Sequence, residues 1–209
     1  MDRPLAHRRV RIAIIVIVSL LAFAALTLVA VTPALQGVDR QIKSALDEVR
    51  YPRIEVPMRV VTFVGDGWTL LVLTVLTSVA LVRRRDQLAW RFPAIMLGAA
   101  VTEWIVKWLV ARPRPRGSPS AFPSGHVFTS VAFFGAVVYL LWTRDVARPW
   151  RIVGTAACLV VIVGIALSRV YLRFHWLTDV LGGVAGGTAY LLIALALADR
   201  PARRAAGVS

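Results

Sequence analysis

The chain has a single cysteine and three histidines in 209 residues, and 11 acidic residues stand against 25 Lys and Arg. With only Cys158 available, an internal disulfide framework and a cysteine-built metal site are both excluded. The carboxylates are scattered, and none of their spacings is of the metal-ligand type. No metal and no cofactor is therefore expected. The net charge of +14 would point to nucleic acid or an anionic surface in a soluble protein. Its meaning here depends on where the charges fall.

What the chain has in excess is apolar residues, 58% of the total, against about 45–50% in a soluble domain. They fall in blocks of about twenty, the length that crosses a hydrocarbon core of about 30 Å as a helix. Six such segments run approximately over 12–32, 59–82, 92–110, 126–142, 152–168 and 177–198. The first follows Arg8, Arg9 and Arg11, and its apolar run exceeds the roughly 7–15 residues of a signal-peptide core, so it reads as a retained span. The expected fold is all-α, a polytopic membrane protein with one domain over residues 1–209 and six transmembrane helices. Its partners are then the bilayer and a membrane lipid, not nucleic acid; the oligomeric state is left open.

Basic residues set the orientation. Arg3, Arg8, Arg9 and Arg11 precede the first span, and Arg83, Arg84, Arg85 and Arg91 separate the second from the third. Arg144, Arg148 and Arg151 separate the fourth from the fifth, and Arg200, Arg203 and Arg204 follow the sixth. These four segments share one side and hold 14 of the 25 Lys and Arg. By the positive-inside rule that side is cytoplasmic, and so are both termini. The first external loop, 33–57, has room for a short amphipathic helix on the membrane surface. Its Arg40, Lys43, Arg50 and Arg53, with Arg59 at the start of the second span, are offset by Asp39, Asp47, Glu48 and Glu55.

Six cations have no topological reason. Lys107, Arg112, Arg114 and Arg116 surround the external end of the third span, and Arg169 and Arg173 follow the fifth. Charge at such places is costly and generally functional. Two other stretches reach the same face: Pro123-Ser124-Gly125-His126 opens the fourth span, and His175 to Asp179 leads into the sixth. Arginines grip phosphate oxygens two at a time. Ser124 adds a hydroxyl, and Gly125 lets a backbone N–H approach an anion just before a helix N-terminus. His175 and Asp179, four apart, are neighbours on a helical turn. A carboxylate on one imidazole nitrogen fixes the tautomer and leaves the other to attack. His126 is then placed to protonate a leaving oxygen. A cradle, a nucleophile with its orienter, and an acid make a phosphoryl-transfer site.

Lys107 to Pro115 reads K-x6-R-P, Pro123 to His126 reads P-S-G-H, and Ser168 to Asp179 reads S-R-x5-H-x3-D. The three together resemble the signature of the type 2 phosphatidic acid phosphatase superfamily, whose membrane branch has six helices. The first hundred residues resemble it only in hydropathy. The resemblance implies that His175 attacks phosphorus, Asp179 orients it, and His126 protonates the leaving group. It also implies that Lys107, Arg114, Arg169, Ser124 and the Gly125 amide hold the phosphate, and that no metal takes part.

The expected function is therefore metal-independent dephosphorylation of a lipid phosphate or pyrophosphate at the extracytoplasmic face of a bacterial inner membrane. Isoprenoid pyrophosphates, phosphatidylglycerophosphate and phosphatidic acid are the open substrates. The competing readings are a phosphotransferase using the same phosphohistidine and a non-enzymatic binding or transport protein. Three polar residues stand beside the signature. Glu103, one turn before Lys107, either offsets the lysine charge or holds the ammonium in place. Arg112 is a second phosphate contact, a headgroup anchor, or neither. Asp66, inside the second span, either contacts the site from behind or packs helices. Gly182, Gly183, Gly186 and Gly187 read as a close helix-packing stripe, and the seven Trp as an interfacial belt.

Overall fold

A computed structural model describes residues 3–48, 51–117 and 120–198, without the side chains of 3–6, 8 and 52. The side chains of Arg3 and Arg8, and Arg50, Arg200, Arg203 and Arg204, thus lie outside the described residues. Those residues form eight α-helices and one 3-10 turn, with no strand among them. The order is α1 (Arg3–Val31), α2 (Gly37–Glu48), α3 (Pro52–Val64), α4 (Gly67–Arg83), α5 (Arg91–Val110), α6 (Gly125–Thr143), α7 (Arg148–Tyr171) and α8 (Leu177–Ala198). The all-α expectation holds. Five helices (α1, α5, α6, α7 and α8) are each long and apolar enough to cross a membrane, and α3 with α4 supplies a sixth if the pair is one span.

That pair corrects the sequence reading, which has one continuous span over 59–82. The helix breaks at Gly65–Asp66 and bends by 43°. Gly65 caps α3, its N–H bonding to Thr62 O, while the Asp66 carboxylate N-caps α4 by accepting from Trp68 N–H at 3.1 Å. An Asp with helical neighbours on both sides prefers to cap, because its short side chain competes for backbone N–H groups. A side chain at Gly65 would strike Ser130 Oγ at 2.9 Å and Ile165 at 3.0 Å, so the break also lets α3 press onto α6 and α7.

The centre of the bundle is α6 against α8. Val127, Phe128, Ala132 and Ala136 on α6 and Gly183, Gly187 and Ala189 on α8 are buried. A Cβ on Gly183 would stand 2.9 Å from Ser124 O, and one on Gly187 2.7 Å from Phe128 O, so only glycine lets these backbones approach. The outer faces are apolar and exposed, as a lipid-facing surface requires. Trp68, Trp90, Trp108 and Trp150, near helix ends, are all more than two-thirds exposed, which suits the headgroup level.

Side-chain bonds fix which loops share an end. Arg144, just after α6, pairs with Asp86, in the α4–α5 connection, and Arg91 bonds Ala198 O at the end of α8. Burial is deepest at the opposite end, where Ser124 N–H donates to Asp179 O at 2.9 Å. There α2 lies across the ends of the spans, as the amphipathic-helix expectation has it. It is anchored by Arg173, which contacts both Leu46 O and Asp47.

Candidate active site

Three segments meet at this end. Helix α5 delivers Lys107 and stops at Ala111, whose left-handed backbone (φ 47°) turns the chain aside. Arg112 and Arg114 follow, each before a proline, which keeps both out of helical geometry. The second segment is the start of α6. Ser124 sits at its N-cap but makes no capping bond, although serine there ordinarily accepts from the first turn. Its Oγ is fully buried with no protein partner. Arg114 Nε and Arg169 Nε are likewise buried and unpartnered. A hydroxyl, two guanidinium N–H groups and a helix N-terminus make a donor-rich cluster suited to an oxyanion.

The cations differ in what they already hold. Lys107 Nζ pairs with Glu103, one turn before it, at 2.8 Å. Arg169 is 6% exposed, stacks on Phe174 at 4.5 Å, and donates through Nη1 to Thr62 Oγ1 at 3.1 Å. Arg116 stacks on Phe174 from the surface side at 5.1 Å. Arg112 is placed differently from the other cations. Phosphate contact and headgroup anchoring both need an available guanidinium, whereas Arg112 is 3% exposed and bonded to carboxylates on both arms. Asp39, one of the acids set against the cations of the first external loop, is buried against Arg112 and Thr178.

The third segment leaves α7 at Tyr171 and turns sharply, with Phe174 and His175 N–H both donating to Arg169 O. His175 is 2% exposed. Its Nδ1 faces Asp179 Oδ2 at 3.5 Å, longer than an ordinary hydrogen bond. Burial pushes the imidazole down from 6.5 to about 4, Asp179 opposes this, and Arg169 and Arg114 add to it. His175 is thus neutral at physiological pH, and a neutral imidazole is the form with a lone pair to attack. His126, on the first turn of α6, lies in the field of His175, Arg169 and Lys107. Its Nε2 stands 3.7 Å from Asp66 Oδ1. Asp66 therefore faces the site as well as capping α4.

Every residue of the three motifs reaches this end of the bundle. Sequence reasoning missed Asp39, Thr62 and Thr178. Thr62 carries no signal in an apolar run, but Asp39 has an indirect one: Arg112, a cation beyond the signature, calls for a buried anion.

Comparison with known proteins agrees with the geometry. The family model of the PAP2 superfamily matches residues 115–203, which hold the second and third motifs. Over that segment the chain matches the PAP2 superfamily. Phosphatidylglycerophosphatase B of Bacillus subtilis (strain 168) is 28% identical over 169 residues, 75% of this chain and 81% of that protein. Dolichyldiphosphatase 1 of Plecturocebus moloch is 27% identical over 161 residues, 68% of this chain and 66% of that one. The fold is also that of a crystal structure of a transmembrane PAP2 type phosphatidylglycerolphosphate phosphatase from Bacillus subtilis. It matches with a TM-score of 0.82 at 24% identity, over 90% of this chain and 98% of that chain. The protein is an integral membrane protein with the fold of that structure.

Proposed function

We propose that this protein hydrolyses a lipid phosphate through a phosphohistidine on His175, at the extracytoplasmic face of a bacterial inner membrane. The enzyme class is that of its named relatives, a phosphoric ester hydrolase. The observation that carries the reading is the pairing of unpartnered donors on Arg114, Ser124 and Arg169 with a buried, neutral His175.

The phosphate docks among Lys107, Arg114 and Arg169, with Ser124 Oγ and the Gly125 N–H completing the cradle. Nε2 of His175 attacks phosphorus while Asp179 holds Nδ1. The P–O bond to the lipid breaks as the P–N bond forms, and His126 gives its proton to the departing oxygen. His126, now a base, takes a proton from water, whose oxygen displaces His175. Inorganic phosphate leaves, and both imidazoles return to their starting states. The chain's own work is positioning and electrostatic stabilisation of the equatorial oxygens.

The membrane setting supports a lipid. An apolar groove of about 800 Å³ runs between α4 and α5. One end is formed by Gly67 and Thr129, beside Asp66 and one turn from His126, and the other by Arg83 and Trp90. From Gly67 to Arg83 that is about 24 Å at 1.5 Å per residue, most of a hydrocarbon core. A long acyl or isoprenoid chain fits it with the phosphate at the site. The relatives' names, one a phosphatidylglycerophosphatase and one a dolichyldiphosphatase, suit a glycerophospholipid or isoprenoid substrate. The positive-inside distribution supports the outward orientation.

The test is phosphate release by the purified protein in detergent from phosphatidylglycerophosphate, phosphatidic acid and isoprenoid mono- and diphosphates, alongside His175→Ala. Release from at least one lipid, lost in His175→Ala, is expected. Full activity in the variant would remove the phosphohistidine.

A further inference from the structure

The two oxygens of the Asp179 carboxylate face different ways. Oδ2 accepts from Trp176 N–H at 2.8 Å and addresses His175 Nδ1. Oδ1 accepts from Arg112 Nη1 at 2.7 Å. The other arm of the same guanidinium, Nη2, reaches Asp39 on α2, also at 2.7 Å. Thr178 closes the set: its Oγ1 accepts from Arg112 at 2.6 Å and donates to Asp39, and its N–H donates to Asp39 Oδ1 at 3.0 Å. Trp176 covers the guanidinium, with Arg112 Cζ 5.4 Å from its ring, and its indole N–H donates to Pro113 O at 2.9 Å. Asp39, Arg112 and Asp179 are each no more than 3% exposed.

As a stability device this is a poor choice. Two carboxylates and one guanidinium are taken out of water, and well-packed apolar side chains of the same volume would hold the segments as well or better. What the arrangement does supply is direction. A guanidinium is a rigid planar fork, so an arm fixed on Asp39 fixes the plane in which the other arm meets Asp179. That in turn decides which way Oδ2 faces. Helix α2 is seated firmly enough to act as the reference. The space that Asp39, Ile42 and Leu46 leave beside His175 is only about 10 Å³, at the lower limit for one water.

We propose that Asp39 and Arg112 are positioning residues for the nucleophile: they orient Asp179 toward His175 and tie that alignment to the surface helix α2. Neither touches the phosphate. Both act through Asp179, and the proposal rests on the reading of His175 as the nucleophile. Asp39 lies far outside the segment that matches the family model, so the device joins the N-terminal region of the chain to its motif-bearing half.

The experiment uses the full chain purified in detergent, with a lipid phosphate as substrate and inorganic phosphate as a competitive probe of the cradle. Asp39→Asn should lower kcat by about 10²-fold, the scale of an ångström-sized misplacement. The inhibition constant for inorganic phosphate should move by less than about threefold, because the cradle cations are untouched. In an Asp179→Asn background Asp39→Asn should slow the enzyme by no more than about twofold, since its route is already cut. Asp39→Asn leaves Arg112 and Asp179 as one neutral pair, and a thermal melt beside the kinetics guards against misfolding. Asp39→Glu keeps a carboxylate for Arg112 and should recover part of the lost kcat.

Unchanged kcat in Asp39→Asn, with His175→Ala inactive, would overturn the proposal and leave the function standing. So would a parallel loss of phosphate binding, or a full multiplication of the Asp179→Asn defect. Wild-type activity in His175→Ala would end both.

Discussion

The ammonium of Lys107 lies against the bare Cα of Gly125, where an added Cβ would stand 2.6 Å from Nζ and 2.8 Å from Glu103 Oε1. The glycine is what lets α5's lysine reach the N-terminus of α6. Both obstructing atoms are tips of flexible side chains, so Gly125→Ala should fold and simply push the lysine out of the cradle. The expected outcome is a KM for lipid phosphate raised roughly tenfold, the value of one lost charge-assisted contact of about 1.4 kcal/mol. Steady-state kinetics beside a thermal melt would check it. A collapsed melting temperature would show instead that the contact holds the fold.

His126→Ala should separate substrates by leaving group. An alkoxide such as a lipid glycerol needs the proton that His126 supplies, and its hydrolysis should fall by about 10²–10⁴-fold. An activated aryl phosphate leaves without help and should lose far less. Equal losses on both would mean that His126 binds phosphate rather than protonating the leaving oxygen.

Asp66 is placed to act on His126, at 3.7 Å from its Nε2, and also to cap α4. Asparagine caps a helix about as well as aspartate, so Asp66→Asn keeps the bend and removes only the charge. If the carboxylate orients His126, the variant should copy the leaving-group discrimination of His126→Ala in weaker form, with an unchanged melting temperature. An aryl-to-lipid rate ratio equal to wild type would restrict Asp66 to capping.

How far this was legible in the sequence depends on what each residue answers to. The spans follow from hydropathy, because a helix of about twenty apolar residues has little else to be. The motif residues follow because cations, histidines and a carboxylate at one membrane face need a common reason. The Gly182–Gly187 stripe reads correctly for the same kind of reason, as backbone contact needs small residues. The bend at Gly65–Asp66 is hidden, because its apolar flanks read as one run and the packing against Ser130 and Ile165 that favours the break beside the Asp66 cap is tertiary. Asp39 is hidden by its helix: on an amphipathic surface segment a carboxylate looks solvated, and its partner stands 73 residues away. Pairings of that range leave no local pattern.

Stability should respond to acid through His175. Unfolded, this imidazole takes up a proton below about 6.5; folded, burial holds it neutral down to about 4. Between those values the unfolded state binds more protons, so stability falls as pH falls across that window. The contribution is on the order of 3 kcal/mol by pH 4, at 1.36 kcal/mol for each unit. His175→Asn removes the titrating group while keeping a polar side chain in the pocket. Melting curves in detergent from pH 7 to 4 should therefore fall less steeply for the variant than for wild type. Parallel curves would mean that His175 is solvated and its burial is of no consequence.

The groove between α4 and α5 gives the last expectation, on what the lipid tail contributes. Ala100 lines it and is exposed, so a larger side chain there fills the groove without disturbing the core. Ala100→Phe should raise KM for a long-chain lipid phosphate by about 10–100-fold, the range that apolar pocket contacts supply. A short soluble aryl phosphate has no tail to displace, so its KM should rise much less. The ratio of the two KM values is the measurement, since a general disturbance of the site would move both together. A ratio unchanged from wild type would show that the chain lies elsewhere on the lipid-facing surface.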